Sequence, residues 1–126
     1  MVKQQSKLKN FTESKAWQEG HKLVLAVYRF LRSFPAEEEF SLRNQMQKAS
    51  VTITTNMAEG LATDSRVDRL NFFLAANAAM IELQNCLLIS RDVGFLKSAY
   101  FDEIARQTAV VNKQLSGLIA ATEKMI

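Results

Sequence analysis

The sequence predicts an all-α fold, an antiparallel up-down-up-down four-helix bundle, from three observations. The chain has 126 residues, which is the size of a single domain. One proline and four glycines leave too few turn residues for a many-stranded sandwich or barrel. Apolar residues recur in steps of three and four along most of the chain, which is the spacing of amphipathic helices. Helices of this kind joined by short links pack as antiparallel neighbours.

Four segments have this spacing, and the predicted helices cover residues 14–34, 38–59, 65–92 and 98–126. The first helix ends before Pro35, because the residue that precedes a proline is disfavoured in the helical region. The second ends where Gly60 takes the position of a C′ glycine. Ser65, with Asp68 three residues later, forms a capping box for the third helix, and Ser98 caps the fourth.

The third helix is apolar on two sides. One stripe consists of Leu70, Phe73, Leu74, Asn77, Ile81 and Leu88, and the other of Phe72, Ala76, Ala79, Leu83 and Cys86. A helix that is apolar around so much of its circumference is buried on two sides, whereas each helix of a four-helix monomer keeps a polar outer face. We therefore predict that part of this surface contacts another subunit.

The residue counts limit the chemistry that one chain can perform. His21 is the only histidine and Cys86 the only cysteine, whereas zinc and iron–sulfur sites need three or four such ligands. A serine or cysteine nucleophile needs a base that a third group orients. We therefore expect neither an enzyme nor a metal or other cofactor. The enzymatic alternative is an oligomer in which each chain contributes one histidine to a site on the symmetry axis.

The sequence also predicts where the protein resides. The first fifteen residues lack the apolar region of a signal peptide, and no apolar run approaches the roughly 18 residues of a membrane span. A single cysteine gives no indication of an oxidising compartment. We expect a cytoplasmic protein without a membrane partner.

The positive charge is concentrated at the amino-terminal end. The net charge is +3, and residues 1–34 contain seven Lys or Arg against two Glu, whereas residues 35–64 contain two against five acidic residues. Within a single domain of residues 1–126, residues 1–12 are expected to form a flexible basic segment. A basic surface is compatible with RNA or DNA, and a solvated helix face is the alternative. The candidate nucleic-acid contacts are Lys7, Lys9, Lys15, Lys22, Arg29, Arg32 and Lys48.

Polar residues interrupt the apolar stripes of the second and third helices. Asn56 falls on the same stripe as Ile53, and Glu59 and Glu82 are expected to point inward. Buried polar groups need hydrogen-bond partners, so we predict that Asn56, Glu59 and Glu82, together with Gln45, form a network that fixes helix register and oligomer geometry. A carboxylate metal site is the alternative, but di-iron bundles supply Glu-x-x-His from two helices.

The second helix carries a recognisable pattern, formed by Gln45, Lys48, Ala49 and, at its end, the run Asn56-Met57-Ala58-Glu59-Gly60. It resembles the signature of the four-helix bundle family named for the intervening sequences of 23S ribosomal RNA genes, the S23-type proteins. Trp17, Phe34-Pro35 and Glu82-Leu83 also occur in the order typical of that family. Lys48 stands where the family often has arginine, and a lysine cannot make the bidentate anion contacts of a guanidinium group.

The resemblance implies a short bundle that assembles into a ring, with a homopentamer as the known arrangement. Distant relatives act as accessory proteins of diversity-generating retroelements, in which a basic pentamer binds a reverse transcriptase and nucleic acid. The leading hypothesis is a non-enzymatic, ring-forming interaction protein whose basic surface contacts RNA or DNA. The alternative is a protein-only scaffold that recruits an enzyme such as a reverse transcriptase.

Overall fold

The computed structural model describes residues 10–38 and 41–126, and these residues form four long helices without a β-strand. The helices are α1 (Lys15–Phe30), α2 (Leu42–Ala62), α3 (Arg66–Asp92) and α4 (Ser98–Met125). Two short 3-10 helices, Leu31–Ser33 and Ala36–Glu38, lie between α1 and α2. The prediction of an all-α fold is confirmed.

The amino-terminal segment is helical as far as the structure describes it. Residues 10–12 are helical. The ring of Phe11 packs edge-on against Trp17 with its centroid 5.3 Å away, which holds the segment against α1. Lys7 and Lys9 lie outside the described residues.

Local capping explains most of the helix boundaries. The hydroxyl oxygen of Ser14 accepts a hydrogen bond from the backbone N–H of Trp17, and that of Ser65 accepts one from Asp68, as N-cap residues do. Phe34 is extended, with φ −64° and ψ 148°, because Pro35 follows it. Gly94, at φ +81°, takes the left-handed conformation that ends α3.

Several predicted helix boundaries are wrong. Helix α1 ends at Phe30 and not at residue 34. Helix α2 begins at Leu42 and not at residue 38, and it continues to Ala62, so Gly60 lies inside the helix and not at C′. Arg69 permits this extension, because its guanidinium group donates to the carbonyl oxygens of Gly60 and Thr63 at 2.9–3.1 Å. Helix α4 includes Ser98 as its first residue, and the N-cap position belongs to Lys97.

Each long helix packs against two others around a common core. Helix α1 contacts α2 and α4, α3 also contacts α2 and α4, and the contact between α2 and α3 is the most extensive. The largest fully buried side chains come from all four helices and the turn after α1; they are Phe73, Leu23, Leu31, Met46, Ile53, Met57, Met80, Leu83, Ile104, Leu115, Val27 and Val111. Three methionines, Met46, Met57 and Met80, and the ring of Phe73 thus contribute to the core.

Helix α3 is long and apolar enough to cross a membrane by length and composition, so the expectation that no segment approaches a span is wrong for this helix. The core helix of a soluble protein can have the same length and composition. In this fold α3 packs against both α2 and α4, and its apolar residues divide between that core and an outward face.

Candidate nucleic-acid interface

The outward side of α1 carries most of the described basic residues that were predicted to bind nucleic acid. We call this surface the α1 face; its members are all exposed and are Lys15, Gln18, His21, Lys22, Leu25, Tyr28, Arg29 and Arg32. Arg32 belongs to the 3-10 turn that follows α1. The structure therefore brings four of the predicted cations onto one continuous surface, and Lys48 lies elsewhere, on α2.

A buried carboxylate anchors this face to α4. The Glu19 side chain is 10% exposed, and its Oε1 lies 3.9 Å from Lys15 Nζ and 3.3 Å from Lys22 Nζ. The amide Nε2 of Gln107 donates to Glu19 Oε2 and to the Glu19 carbonyl oxygen, both at 2.9 Å. The Gln107 hydrogen bond lowers the pKa of Glu19, and the two lysines act in the same direction against the opposing effect of burial. Glu19 therefore stays ionised and positions the two ammonium groups.

A groove of about 250 Å³ separates the α1 face from α4. Lys22, Leu25 and Arg29 line one side of it, and Glu103 and Gln107 line the other. Arg106 lies 3.6 Å from Glu103. Beyond the groove, Tyr100 stacks on Phe30 at 4.6 Å, and Lys97 Nζ lies 5.6 Å from the Tyr100 ring centroid. The groove thus contains charges of both signs, whereas the exposed charged residues of the α1 face are all cations.

Helix α3 presents a second continuous surface, which is apolar. We call it the α3 outer face; its exposed members are Val67, Asn71, Leu74, Ala78, Ile81, Asn85 and Leu88. These residues recur in steps of four and three, the a/d spacing of helices that pack against a partner helix. Val67, Leu74, Ile81 and Leu88 are each between 45% and 59% exposed. Helix α3 is apolar on two sides, as predicted, but the stripes divide differently. Leu74, Ile81 and Leu88 of the first predicted stripe face outward, whereas Phe73 of the same stripe is buried together with Ala76 and Leu83 of the second.

The predicted polar network does not form within one chain. Glu59 and Glu82 are exposed and Asn56 is half-buried, so the expectation that all three point inward is wrong. Asn56 donates to the carbonyl oxygen of Thr52 within α2 at 2.9 Å. The buried line of α2 passes instead through Ile53, Met57 and Gly60.

Gln45, Lys48 and Glu82 lie around one cleft between α2 and α3. Its volume is about 530 Å³, and its other lining residues are Ser41, Asn44, Ala49 and Thr52. Asn56 lines a separate cleft of about 420 Å³ farther along the same two helices, beside Asn71, Phe72 and Ala75. Neither cleft includes Glu59. The polar residues of the family-like pattern thus lie along the outward α2–α3 surface, and they do not converge on one point.

Gly60 has a structural explanation of its own. A Cβ atom at this position would lie 2.5 Å from Cε1 of Phe73, which is closer than two carbon atoms can approach. Phe73 is fully buried against α2 at this point. The glycine of the Asn-x-Ala-Glu-Gly pattern therefore permits close packing of α3 on α2 and does not terminate α2.

The two reactive residue types are placed where they contribute to packing. Cys86 is buried, its Sγ lies 3.9 Å from Oε1 of Gln45, and burial, with a smaller contribution from the charge of Glu82, raises the pKa of its thiol. His21 is exposed and stacks on Trp17 with a centroid separation of 4.8 Å. Within residues 10–38 and 41–126, no group of three or more His, Cys, Asp and Glu side chains is arranged to hold a metal ion.

Sequence reasoning missed Arg69 and Gln107, the side chains that tie the helices together. Gln107 interrupts the apolar positions of α4 between Ile104 and Val111, and that interruption was the available signal. Arg69 had no comparable signal, since its role depends on how far α2 extends. Lys97 and Arg106 were also missed, because they become neighbours of the α1 face only when α1 and α4 pack together.

Comparisons with known proteins identify a family and a solved structure with a similar fold. Residues 12–117 match the family described as 23S rRNA-intervening sequence protein. Among solved structures, the chain is similar to a protein of unknown function from the S23 ribosomal protein family of Bacteroides thetaiotaomicron, with a TM-score of 0.77 and 18% sequence identity. That match covers 83% of this chain and 95% of the other, and at this identity it shows the fold alone. No match is found among curated proteins.

Proposed function

The chain belongs to the family of 23S rRNA-intervening sequence proteins, and from that premise we propose that it is a non-enzymatic, self-assembling protein that binds RNA or DNA through the α1 face. The observation that carries the proposal is the arrangement of four exposed cations, Lys15, Lys22, Arg29 and Arg32, along a single helix surface. Cations in such a row neutralise phosphates and release condensed counterions, which is the main source of sequence-independent affinity for nucleic acid.

The proposal includes an antiparallel up-down-up-down order of the four helices. The link before α3 consists of residues 63–65, and the link after it consists of residues 93–97. Links this short join antiparallel neighbours. Arg66 at the start of α3 donates to the carbonyl oxygen of Met125 at the end of α4, at 2.9 Å. This contact supports opposite directions for α3 and α4.

Self-assembly is supported by the α3 outer face. An apolar stripe of this length is uncommon on the surface of a soluble monomer and is typical of protein–protein contacts. We propose a closed ring, and a pentamer is the arrangement that the sequence resemblance implies. Five copies of a chain with net charge +3 would present about +15 to a polyanion.

The non-enzymatic part of the proposal rests on the positions of the reactive residues. A buried thiol with a raised pKa is a poor nucleophile, because the thiolate is the reactive form. The imidazole of His21 stacks on Trp17, and because His21 is the only histidine, a site with several histidines would need one from each of several copies. Metal analysis of the purified protein tests this alternative of a shared site in the oligomer, and a stoichiometric bound metal would contradict the proposal.

Filter binding over a salt series tests nucleic-acid binding. We expect retention of RNA or DNA at low salt and a linear fall of log K with log salt concentration. The variant Arg29→Gln/Arg32→Gln should weaken binding and lower the magnitude of the slope by about 1 to 2, and it leaves the Glu19 contacts intact. Lys113→Gln/Lys124→Gln on α4 is the matched control, with the same loss of charge and unchanged binding expected. No retention at low salt, or retention that does not depend on salt, would contradict the proposal.

The second candidate is a protein-only scaffold that recruits an enzyme such as a reverse transcriptase. The α2–α3 clefts favour it, since their linings combine polar side chains with small residues such as Ala49 and Ala75 and can receive side chains from another protein. This candidate predicts that a pull-down from the native host returns one defined protein partner after nuclease treatment. Loss of that partner on nuclease treatment would favour the nucleic-acid-binding proposal.

A further inference from the structure

The α1 face contains two rows of side chains that differ in chemistry. Lys15, Lys22 and Arg29 form a cationic row, since residues seven apart lie nearly above one another on a helix. His21 and Tyr28 form a ring row, also seven residues apart, and each ring residue directly precedes a cation of the first row. The two rows therefore run side by side along α1 with the same repeat.

The surface between the rows includes an exposed apolar side chain. Leu25 lies between them and is 52% exposed, and Tyr28 is 44% exposed. His21 is exposed and rests on Trp17, whose ring plane is inclined by 16° to that of His21. Trp17 stacks on one face of the imidazole, and the proposed ligand would stack on the other face.

The spacing within the two rows suits a polynucleotide strand that runs along α1. Seven residues of α-helix rise about 10.5 Å, so successive cations of one row, and successive rings of the other, are a few nucleotides apart. Phosphates along the cationic row would place bases over His21, Leu25 and Tyr28. A base-paired duplex presents phosphates to the cations but keeps its base faces stacked inside, so it cannot use the rings.

We propose that the α1 face binds single-stranded nucleic acid, with phosphates on Lys15, Lys22 and Arg29 and unpaired bases stacked on His21 and Tyr28. This inference rests on the proposed nucleic-acid binding and specifies the form of the ligand. Stacking on aromatic rings tolerates any base, so the preference is for unpaired strands and not for a particular sequence.

The experiment compares a 12-nucleotide uridine RNA with a 12-base-pair RNA duplex, each fluorescently labelled, by polarisation at one fixed salt concentration. We expect at least fivefold tighter binding of the single strand. Tyr28→Leu keeps an apolar side chain without a ring and should lose about 5-fold or more in affinity for the single strand, with unchanged affinity for the duplex. Tyr28→Phe keeps the ring and should bind as the unmodified protein does.

Fluorescence of Trp17 gives a second readout that a purely electrostatic contact would not change. Trp17 is the only tryptophan of the chain, and we expect the unlabelled single strand, but not the duplex, to quench it. This inference would be overturned, and the proposed function left intact, if strand and duplex bind with equal affinity. In that case Tyr28→Leu would bind the strand as the unmodified protein does, and Arg29→Gln would weaken binding of both. Absence of binding to either RNA, and to the DNA strand and duplex of the same length, would overturn both.

Discussion

Gly60 shows how a single residue permits a close helix contact. The Phe73 ring occupies the space that a side chain at position 60 would need, and Phe73 belongs to the centre of the core. The sequence pattern identified Gly60 as special but assigned it to the end of α2. A glycine that ends a helix and a glycine that makes room for an aromatic ring cannot be distinguished from the sequence alone. The contact with Phe73 of α3 identifies Gly60 as the second kind.

Gly60→Ala should therefore destabilise the fold. The added methyl group must displace the Phe73 ring, and overpacking of this kind typically costs about 1–3 kcal/mol. Gly117→Ala is the matched control, because a Cβ atom added there would meet open space among the described residues and alanine favours a helix interior by up to about 1 kcal/mol. Chemical denaturation measures both free energies of unfolding. Equal stabilisation by the two substitutions would show that Phe73 does not restrict position 60.

Glu19 links stability to pH. Because its pKa is lowered in the folded protein, its contribution is fully present above the unfolded value and is lost as pH falls through the folded value. Glu19→Gln should lower Tm at pH 7, and the difference from the unmodified protein should shrink as the pH falls below about 4. The control Glu123→Gln, at an exposed position on α4, should show no such convergence. A constant difference at all pH values would mean that the charge of Glu19 contributes nothing.

Among the helices, α2 shows what periodicity could predict and what it could not. The apolar stripes identified all four helices, because burial of one face requires that spacing. The inward positions near the end of α2 were assigned incorrectly. Positions that repeat every seven residues rotate by about 20° per heptad around a straight helix with 3.6 residues per turn, so a stripe that starts on the buried side moves off it. The buried line therefore reaches Met57 and Gly60, while Asn56 and Glu59 lie beside it.

Helix α3 carries the prediction about assembly. Leu74→Gln/Ile81→Gln removes two exposed apolar side chains from the middle of the α3 outer face, and we expect the assembly to dissociate without loss of helix content. Val110→Gln, which replaces a 40% exposed side chain on α4, should leave the assembly unchanged. Light scattering after size-exclusion chromatography measures the mass, and circular dichroism checks the fold. An unchanged mass for the double variant would show that the α3 outer face is not the interface.

Considered as a whole, the molecule separates its two surfaces by chemistry. The α1 face is cationic and carries exposed rings, whereas the α3 outer face is uncharged along its whole length. The sequence predicted both properties, one from the charge distribution and the other from the double stripe. It could not predict which cations share a surface with which rings, because that depends on the rotation of α1 about its axis relative to the core.

In the proposed function the α3 outer face joins the subunits and each subunit contributes one α1 face. Assembly should therefore strengthen nucleic-acid binding, because the assembly carries several copies of the α1 face. The decisive measurement is the dependence of log K on log salt concentration for a 40-nucleotide single-stranded RNA, with the unmodified protein and with Leu74→Gln/Ile81→Gln. We predict that the unmodified protein is an oligomer with a steep negative slope, and that the double variant is a folded monomer with a slope at least twofold shallower. Equal slopes, or binding that does not depend on salt, would contradict this link between assembly and nucleic-acid binding.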